Sequence, residues 1–367
     1  MTTLTAHLDA RSPARPIRAR RRRLFIPAAL IGALTVAGLT GELLVRLLVG
    51  SPMPERLPLM TVQANPWRGY AMVPGGGHFT YHHPVRVNSL GLRGPEVGPR
   101  RPGETRVLVL GDSLTYGQGV ADDQTVPALL ERRLAGDGDG AVRVINGGLR
   151  GYATNQEVGL LAELGPVIRP DVVVLMWYWN DLEEGNIDGT CARLTRSGPV
   201  AFDTWTRMEG EALAGWRRQQ WLRHSAALML LHDVAARVAA AREAEMTDLE
   251  AGLERLDRHL ARLAELGAGM GARTVLATVP DANALIGDHF SRAPAAAARV
   301  LALRHGMAAV DLEPPLRGLY RRLGRLPVLA FDGHYDARAN ACMAEALADA
   351  LRGLPARTPA PPTAAAD

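Results

Sequence analysis

Acyl transfer through an enzyme-bound ester needs three side chains. These are a hydroxyl nucleophile, a base that removes its proton, and an acid that holds the base in one tautomer. The 367-residue chain carries candidates for all three at two distant places. The first is Gly111-Asp112-Ser113-Leu114-Thr115-Tyr116-Gly117, directly after the apolar run Arg106 to Leu110. A serine where a strand turns into a helix exposes its hydroxyl. Its own N–H also lies among the unpaired donors of the helix start, suited to developing negative charge. The second is Phe331-Asp332-Gly333-His334-Tyr335-Asp336, ahead of an Ala-rich helical stretch, Ala337 to Leu351. His334 is the expected base and Asp332 the expected acid, with Asp336 as the alternative orienting group. Of the ten histidines, His334 alone stands on a loop beside such an acid just before the final helix. His305 precedes a strand, and His224, His232 and His259 fall in helical runs. Taken alone, Gly-Asp-Ser is also an ordinary turn or helix cap.

The Gly111-Asp112-Ser113 string resembles the first block of the SGNH (GDSL) hydrolase family, and three further blocks follow in that family's order across residues 106 to 346. Asn146-Gly147-Gly148-Leu149-Arg150-Gly151-Tyr152 is similar to the second block. In isolation Gly151 reads as a turn residue, whereas the resemblance implies that its N–H is an oxyanion donor. Trp177-Tyr178-Trp179-Asn180-Asp181 matches the third block, usually Gly-x-Asn-Asp, in part. Asn180 fits the position whose side-chain amide donates to the oxyanion, and Tyr178 stands where glycine is usual. The last block, commonly Asp-x-x-His, is shortened here to Asp332-Gly333-His334, a spacing also found in the family and in related alginate-type O-acetyltransferases. The resemblance thus implies a triad of Ser113, Asp332 and His334 and an oxyanion hole of Ser113, Gly151 and Asn180. Asp112, Trp177 and Trp179 are expected at the substrate, the indoles narrowing the pocket or stacking on a sugar ring, with plain wall packing as the alternative.

The implied reaction is hydrolysis of an ester through an acyl-serine, on O-acyl or O-acetyl groups of an extracytoplasmic glycan. O-acyl transfer onto a polysaccharide and hydrolysis of a lipid ester use the same residues and stay open. A third possibility, a non-catalytic glycan-binding or assembly module, usually loses the serine or the histidine, and both are present. No metal or organic cofactor is expected.

The elements that must hold these residues alternate. Short apolar runs (Arg106 to Leu110, Val142 to Ile145, Asp171 to Met176, Arg273 to Thr278, Met307 to Leu312) predict strands. Thr125 to Leu134, Gln156 to Leu164 and Asp248 to Leu266 predict helices between them. Fully apolar, β-branched strands alternating with helices imply an α/β fold, a parallel sheet covered on both faces. The resemblance adds a flavodoxin-like three-layer α/β/α order. The catalytic domain is expected over residues 105–354. It is preceded by an extended, Pro- and Gly-rich lead-in at 51–104 and interrupted by a Trp- and Arg-rich insertion at 182–246. The insertion, with Trp205, Trp216, Trp221 and the apolar run Ala226 to Ala240, is placed to form a lid or wall, to lie on a membrane, or to pack as an ordinary helix. His78, His82 and His83 in the lead-in read as loop histidines, because no third ligand stands at metal spacing. Residues 355–367 are Pro- and Ala-rich, the composition of a disordered tail.

Charge locates the chain. Residues 1–23 hold seven Arg and one Asp, a net +6, so the whole-chain +4 leaves −2 for everything else. No basic globular face, and hence no nucleic-acid partner, is implied. The segment 24–50 is almost uncharged and long enough to cross a bilayer, with Glu42 and Arg46 paired at i, i+4 near its far end. The positive-inside rule puts the arginines in the cytoplasm and the catalytic domain outside a single-pass cell-membrane anchor. A cleaved signal peptide is the rival reading, and the missing small-x-small site argues against it. Cys191 and Cys342 fit neither a metal nor a redox spacing and read as unpaired thiols or one disulfide in an exported domain.

Overall fold

The computed structural model of the protein describes residues 17–56, 59–76, 78–135, 141–198, 200–202, 220–240, 249–287 and 292–354. Trp205, Trp216, the first part of the basic tail and the 355–367 tail lie outside the described residues.

The lead-in is more regular than an extended connection. β1 (Met60–Asn65) and β2 (Gly69–Met72) form an antiparallel hairpin, and β3 (His78–Thr80) pairs with β4 (His83–Val85). The Asn65 side chain makes the first turn by accepting from the N–H groups of Trp67 (2.9 Å) and Arg68 (3.0 Å), the local bonding that makes Asn a turn residue. Strands of three to six residues are too short to register as periodicity, which is why the sequence reads as turns. His78 is buried, and its Nδ1 accepts the Thr61 N–H at 2.9 Å, a structural use of the imidazole.

The body of the molecule is a five-stranded parallel sheet. Its strands are β5 (Thr105–Gly111), β6 (Val142–Gly148), β7 (Val172–Trp177), β9 (Arg273–Thr278) and β10 (Ala308–Asp311), in the spatial order β10-β9-β7-β5-β6. Alternate residues serve opposite faces. Leu108, Leu110, Val173, Leu175 and Trp177 share one core with the helices Thr154–Ile168, Leu249–Gly269 and Arg292–Arg304. Val107, Val109, Val172, Val174 and Met176 share the other with Val126–Leu134, Glu313–Leu323 and Ala337–Arg352. This is the expected three-layer α/β class. The strand order reverses at β5, whose neighbours β6 and β7 lie on opposite sides. Their carboxyl ends therefore diverge into a crevice where α/β proteins hold ligands.

Within the 182–246 insertion, a helix Ile187–Ser197 is followed by β8 (Val200–Phe202), which joins the lead-in sheet beside β1. A second helix, Ala226–Ala240, packs against the N-terminal helix Ile17–Leu48. In that N-terminal helix, Phe25–Leu48 has a mean hydropathy of 1.8 and no buried residue, half-covered only near its end at Gly41, Glu42, Val45 and Arg46, and is long and apolar enough to cross a membrane. Glu42 accepts from Arg46 at 2.7 Å, the expected i, i+4 pair. It also accepts from Ser225 Oγ (2.7 Å) and the N–H groups of Ala226 and Ala227 (both 3.0 Å). An acid of the first helix thereby satisfies the open donors at the start of the second. Cys191 and Cys342 are both free.

Candidate active site

The nucleophile turn is set by tight packing at the strand ends. Gly111 has φ +154, and a Cβ there would stand 2.1 Å from Thr115 Oγ1 and 2.9 Å from the Met176 carbonyl. At Gly148 a Cβ would fall 2.2 Å from the Tyr116 nitrogen. The short helix Ser113–Tyr116 thus sits directly on the ends of β5, β6 and β7. Asp112 caps it, accepting the Leu114 N–H at 2.8 Å. From the lead-in, the buried Arg93 closes the other end, donating to the carbonyls of Tyr116 (2.9 Å), Gly117 (2.7 Å) and Val120 (2.8 Å) while pairing with Asp122 at 2.9 Å.

His334 Nε2 lies 2.8 Å from Ser113 Oγ, and its Nδ1 contacts Asp332 Oδ1. A carboxylate only accepts, so Nδ1 carries the ring proton and Nε2 is free to accept the Ser113 hydroxyl. The shortened Asp332-Gly333-His334 spacing works because the loop coils on itself. Phe331 (φ +61) and Gly333 (φ +89) are both left-handed. In that coil Asp332 Oδ1 also accepts the main-chain N–H of His334 at 3.0 Å. The loop is closed by Leu329 N–H to the His334 carbonyl (2.8 Å) and Asp336 N–H to the Pro327 carbonyl (2.9 Å). Asp336 is no rival orienting acid. It caps the last helix, accepting from Arg338 N–H (2.9 Å) and Ala339 N–H (3.1 Å).

Two contacts to Asp332 have no precursor in the sequence reading. Tyr81, in the turn between β3 and β4, donates its hydroxyl to Asp332 Oδ2, and Gln118 Nε2 donates to the same oxygen at 3.1 Å. Burial pushes the Asp332 pKa up, but the hydrogen bonds from His334 and Tyr81 outweigh it and hold the carboxyl well below its ordinary range. The ionised form is therefore favoured by the fold, fully so above the ordinary carboxylate range and lost as pH falls through the depressed value. Tyr81→Phe removes one donor and raises that value. With the carboxylate less firmly held against His334, kcat is expected to fall about ten-fold with KM little changed. A pH–rate profile of both proteins checks it.

Asn180 follows β7, and its Nδ2 donates to Asp112 Oδ2 at 3.3 Å, which brings the amide beside the serine. Tyr178 has φ −123 and ψ +154, extended backbone open to any residue, so the departure from glycine leaves the path undisturbed. Gly151, at φ +80, is the third residue of a turn closed by Tyr152 N–H to the Leu149 carbonyl (3.2 Å). That turn is tied to β5 by Leu149 N–H to the Gly111 carbonyl at 3.1 Å.

A cavity of about 1030 Å³ opens over this group. Ser113, His334, Asp332, Asn180 and Asp112 line it; Gly151, Trp177 and Trp179 do not. The expectation that Trp177 and Trp179 meet substrate is corrected, for Trp177 by strand alternation. Trp177 continues the Val173 and Leu175 face into the core and is fully buried, and Trp179 packs partly buried against the same core. The aromatics at the cavity are Tyr178, Phe331 and Tyr335, and the Tyr178 hydroxyl donates to Asp281 at 2.6 Å. Asp112 reaches the cavity floor with its carboxylate already engaged by Leu114 and Asn180, and its buried position pushes its pKa up. It positions neighbouring groups.

Behind the site lies a second acidic feature. Glu157, in the helix Thr154–Ile168, and Asp181 are both buried. Burial, then the Asp112 charge, pushes Glu157 far up; burial, then Glu157, does the same to Asp181. A carboxyl raised by folding binds more protons in the native state, so its contribution to stability declines as pH rises from the ordinary carboxylate range through the raised value. Glu157→Gln removes this loss. Its melting temperature relative to the parent is expected to rise between pH 5 and pH 8, by thermal melts in matched buffers.

Residues 109–341 match the model of the GDSL-like lipase/acylhydrolase family. No curated relative matches the chain. Among solved structures, TesA is 20% identical with a TM-score of 0.41, covering 68% of this chain and 98% of its own. The lipase/acylhydrolase of Enterococcus faecalis is 14% identical at 0.40, with 70% and 100% covered. A mutant acetyl-xylooligosaccharide esterase of Geobacillus Stearmophilus is 15% identical at 0.42, with 70% and 97% covered.

Proposed function

Because this chain belongs to the GDSL-like lipase/acylhydrolase family, we propose that it hydrolyses a carboxylic ester through an acyl-serine on Ser113. The observation that carries this reading is the hydrogen-bonded line Ser113–His334–Asp332 at the mouth of the cavity. His334 Nε2 takes the Ser113 proton as Oγ bonds to the ester carbon, and the resulting tetrahedral oxyanion collapses. The ester C–O bond breaks, and the departing alcohol takes the proton from His334. Water, activated by the same nitrogen, then releases the acid.

The oxyanion is assigned to the Ser113 N–H, the Asn180 amide and the Gly151 N–H. Asn180 has support from its place on the cavity wall, Gly151 from its turn being bonded to the end of β5. One such donor is worth about 3 kcal/mol, so Asn180→Ala is expected to lower kcat about 10²-fold with KM nearly constant in steady-state kinetics.

The alcohol released belongs to an O-acylated envelope glycan or a lipid, and a sugar hydroxyl in place of water would turn hydrolysis into transfer. Ile17–Leu48 is read as an uncleaved anchor with the catalytic part outside, supported by the grip of Glu42 on Ser225, Ala226 and Ala227, which a cleaved segment would not need. A fluorophosphonate probe tests the chemistry. Labelling at the Ser113 peptide supports it, and labelling retained in Ser113→Ala rejects it. Release of acetate from an acetylated glycan, with and without an acceptor sugar, separates hydrolysis from transfer.

A further inference from the structure

The cavity over Ser113 has an unusual wall. On one side stand Leu48 and Val49, the end of the N-terminal apolar helix, with Leu230 and Val234 from the Ala226–Ala240 helix beside them. The two helices are fastened together where they meet. Glu42 takes the N–H groups of Ala226 and Ala227, and Arg46 Nη2 donates to the His224 carbonyl at 3.0 Å. A helix rises about 1.5 Å per residue and a hydrocarbon core is about 30 Å thick, so a crossing that starts at Phe25 ends about 20 residues on, near Leu44. Glu42 and Arg46 therefore sit at the outer surface, and the start of the Ala226–Ala240 helix is held at that depth.

That helix turns its buried residues, Ala226 and Met229, inward. Outward it presents Leu228, Leu231 (68% exposed) and Val234, with Trp221 (67% exposed) just before it. Leucines on the outer face of a surface helix normally have polar neighbours. Next to the end of a membrane-crossing helix, such a face lies in the interface with its apolar side in the acyl region. The side chains of the four wall residues offer no hydrogen bonds, which suits hydrocarbon, and Asp233 of the same helix is the acid that lines the cavity beside them. Polar side chains at the cavity, Asn283 and Arg325 among them, stand where a headgroup or a departing alcohol would lie, while Arg338 is paired with Asp336.

We infer that the ester reaching Ser113 is that of a bilayer lipid, whose acyl chain passes from the outer leaflet along the seam between the end of the N-terminal helix and the Ala226–Ala240 helix. This rests on the acyl-serine reading above. Attack by Oγ breaks the lipid ester, the lysolipid alcohol leaves with the His334 proton, and water frees the fatty acid.

The test uses the full chain as Ser113→Ala in vesicles of phosphatidylethanolamine and phosphatidylglycerol, doped with a phospholipid whose acyl chain ends in a diazirine. Cross-links at Leu48, Val49, Leu230 or Val234 are the expected result, and cross-links confined to Phe25–Leu44 overturn the inference. This readout does not depend on the nucleophile. In the active chain, Leu228→Gln combined with Leu231→Gln is expected to cut turnover of a vesicle-embedded fluorogenic ester at least about ten-fold. That is the size expected for two leucines taken from hydrocarbon. Turnover of soluble p-nitrophenyl acetate should change less than about two-fold, because neither residue lines the cavity. An equal change in both esters, or none in either, overturns it. Cavity cross-links combined with a wild type inert toward both esters would instead reject Ser113 as nucleophile.

Discussion

Ser113→Ala is expected to lower kcat on a soluble ester by about 10⁴-fold or more while leaving KM and the thermal melt close to the parent's. The size follows from what the residue does alone. Among the described residues, its Oγ is the hydroxyl at the cavity that lies within hydrogen-bond reach of His334 Nε2, 2.8 Å away. Removing it leaves the oxyanion donors and the cavity intact, so a residual rate above the uncatalysed one persists. Folding should tolerate the change, because the turn is fixed by Gly111, Gly148, the Asp112 cap and the Arg93 clamp, and the hydroxyl adds to these only a long 3.4 Å contact with Asp112 Oδ2. Steady-state kinetics alongside circular dichroism decide it. A loss of less than about 10²-fold would sink the assignment of Ser113.

Asp332→Asn should come second, at about 10³- to 10⁴-fold in kcat with binding little affected. The carboxylate accepts His334 Nδ1–H and the His334 N–H with one oxygen, and Tyr81 and Gln118 with the other. An amide has one acceptor oxygen and one donor nitrogen. If the NH₂ faces Nδ1, the ring proton moves to Nε2 and the base can no longer accept from serine. If the oxygen faces Nδ1, the NH₂ opposes the Tyr81 and Gln118 donors. Either arrangement breaks the line. Stopped-flow or steady-state rates from pH 5 to pH 9 are the measurement, and a variant within ten-fold of the parent would move the orienting role elsewhere.

The body of the fold was legible because its strands, the half-exposed edge strand β10 apart, are largely buried on both faces and so read as continuous apolar runs. All five predicted strands lie in the parallel sheet, with ends shifted by a few residues. The lead-in was not, since its strands run only three to six residues and one of them, β1, also pairs with β8, far away in sequence. Ser113, His334 and Asp332 could be picked out because each stands in a short run with recognisable neighbours. Trp177 misled because an aromatic next to a site residue draws attention before its parity along the strand is counted. Counting from Val173 and Leu175 would have sent it into the core. Tyr81 and Gln118 carry no local signal as donors to an acid that sits at the other end of the chain. Glu42 was visible as a lone acid in an apolar run, and its i, i+4 partner satisfied the sequence argument before its second role could be seen.

Tyr81 and Asp332 are separated by 251 positions, and their hydrogen bond spans nearly all of the hydrolase fold. During synthesis, Tyr81 is made early and Asp332 close to the end, so any chain that stops short of the last loop has a serine with no base, however well its first strands have paired. Local contacts form before distant ones because closing a long loop costs entropy that only later contacts offset. Ordering of the acid is thus among the final events of folding. Esterase activity becomes a report that the whole chain has closed, with partly made or partly unfolded copies silent toward the esters around them.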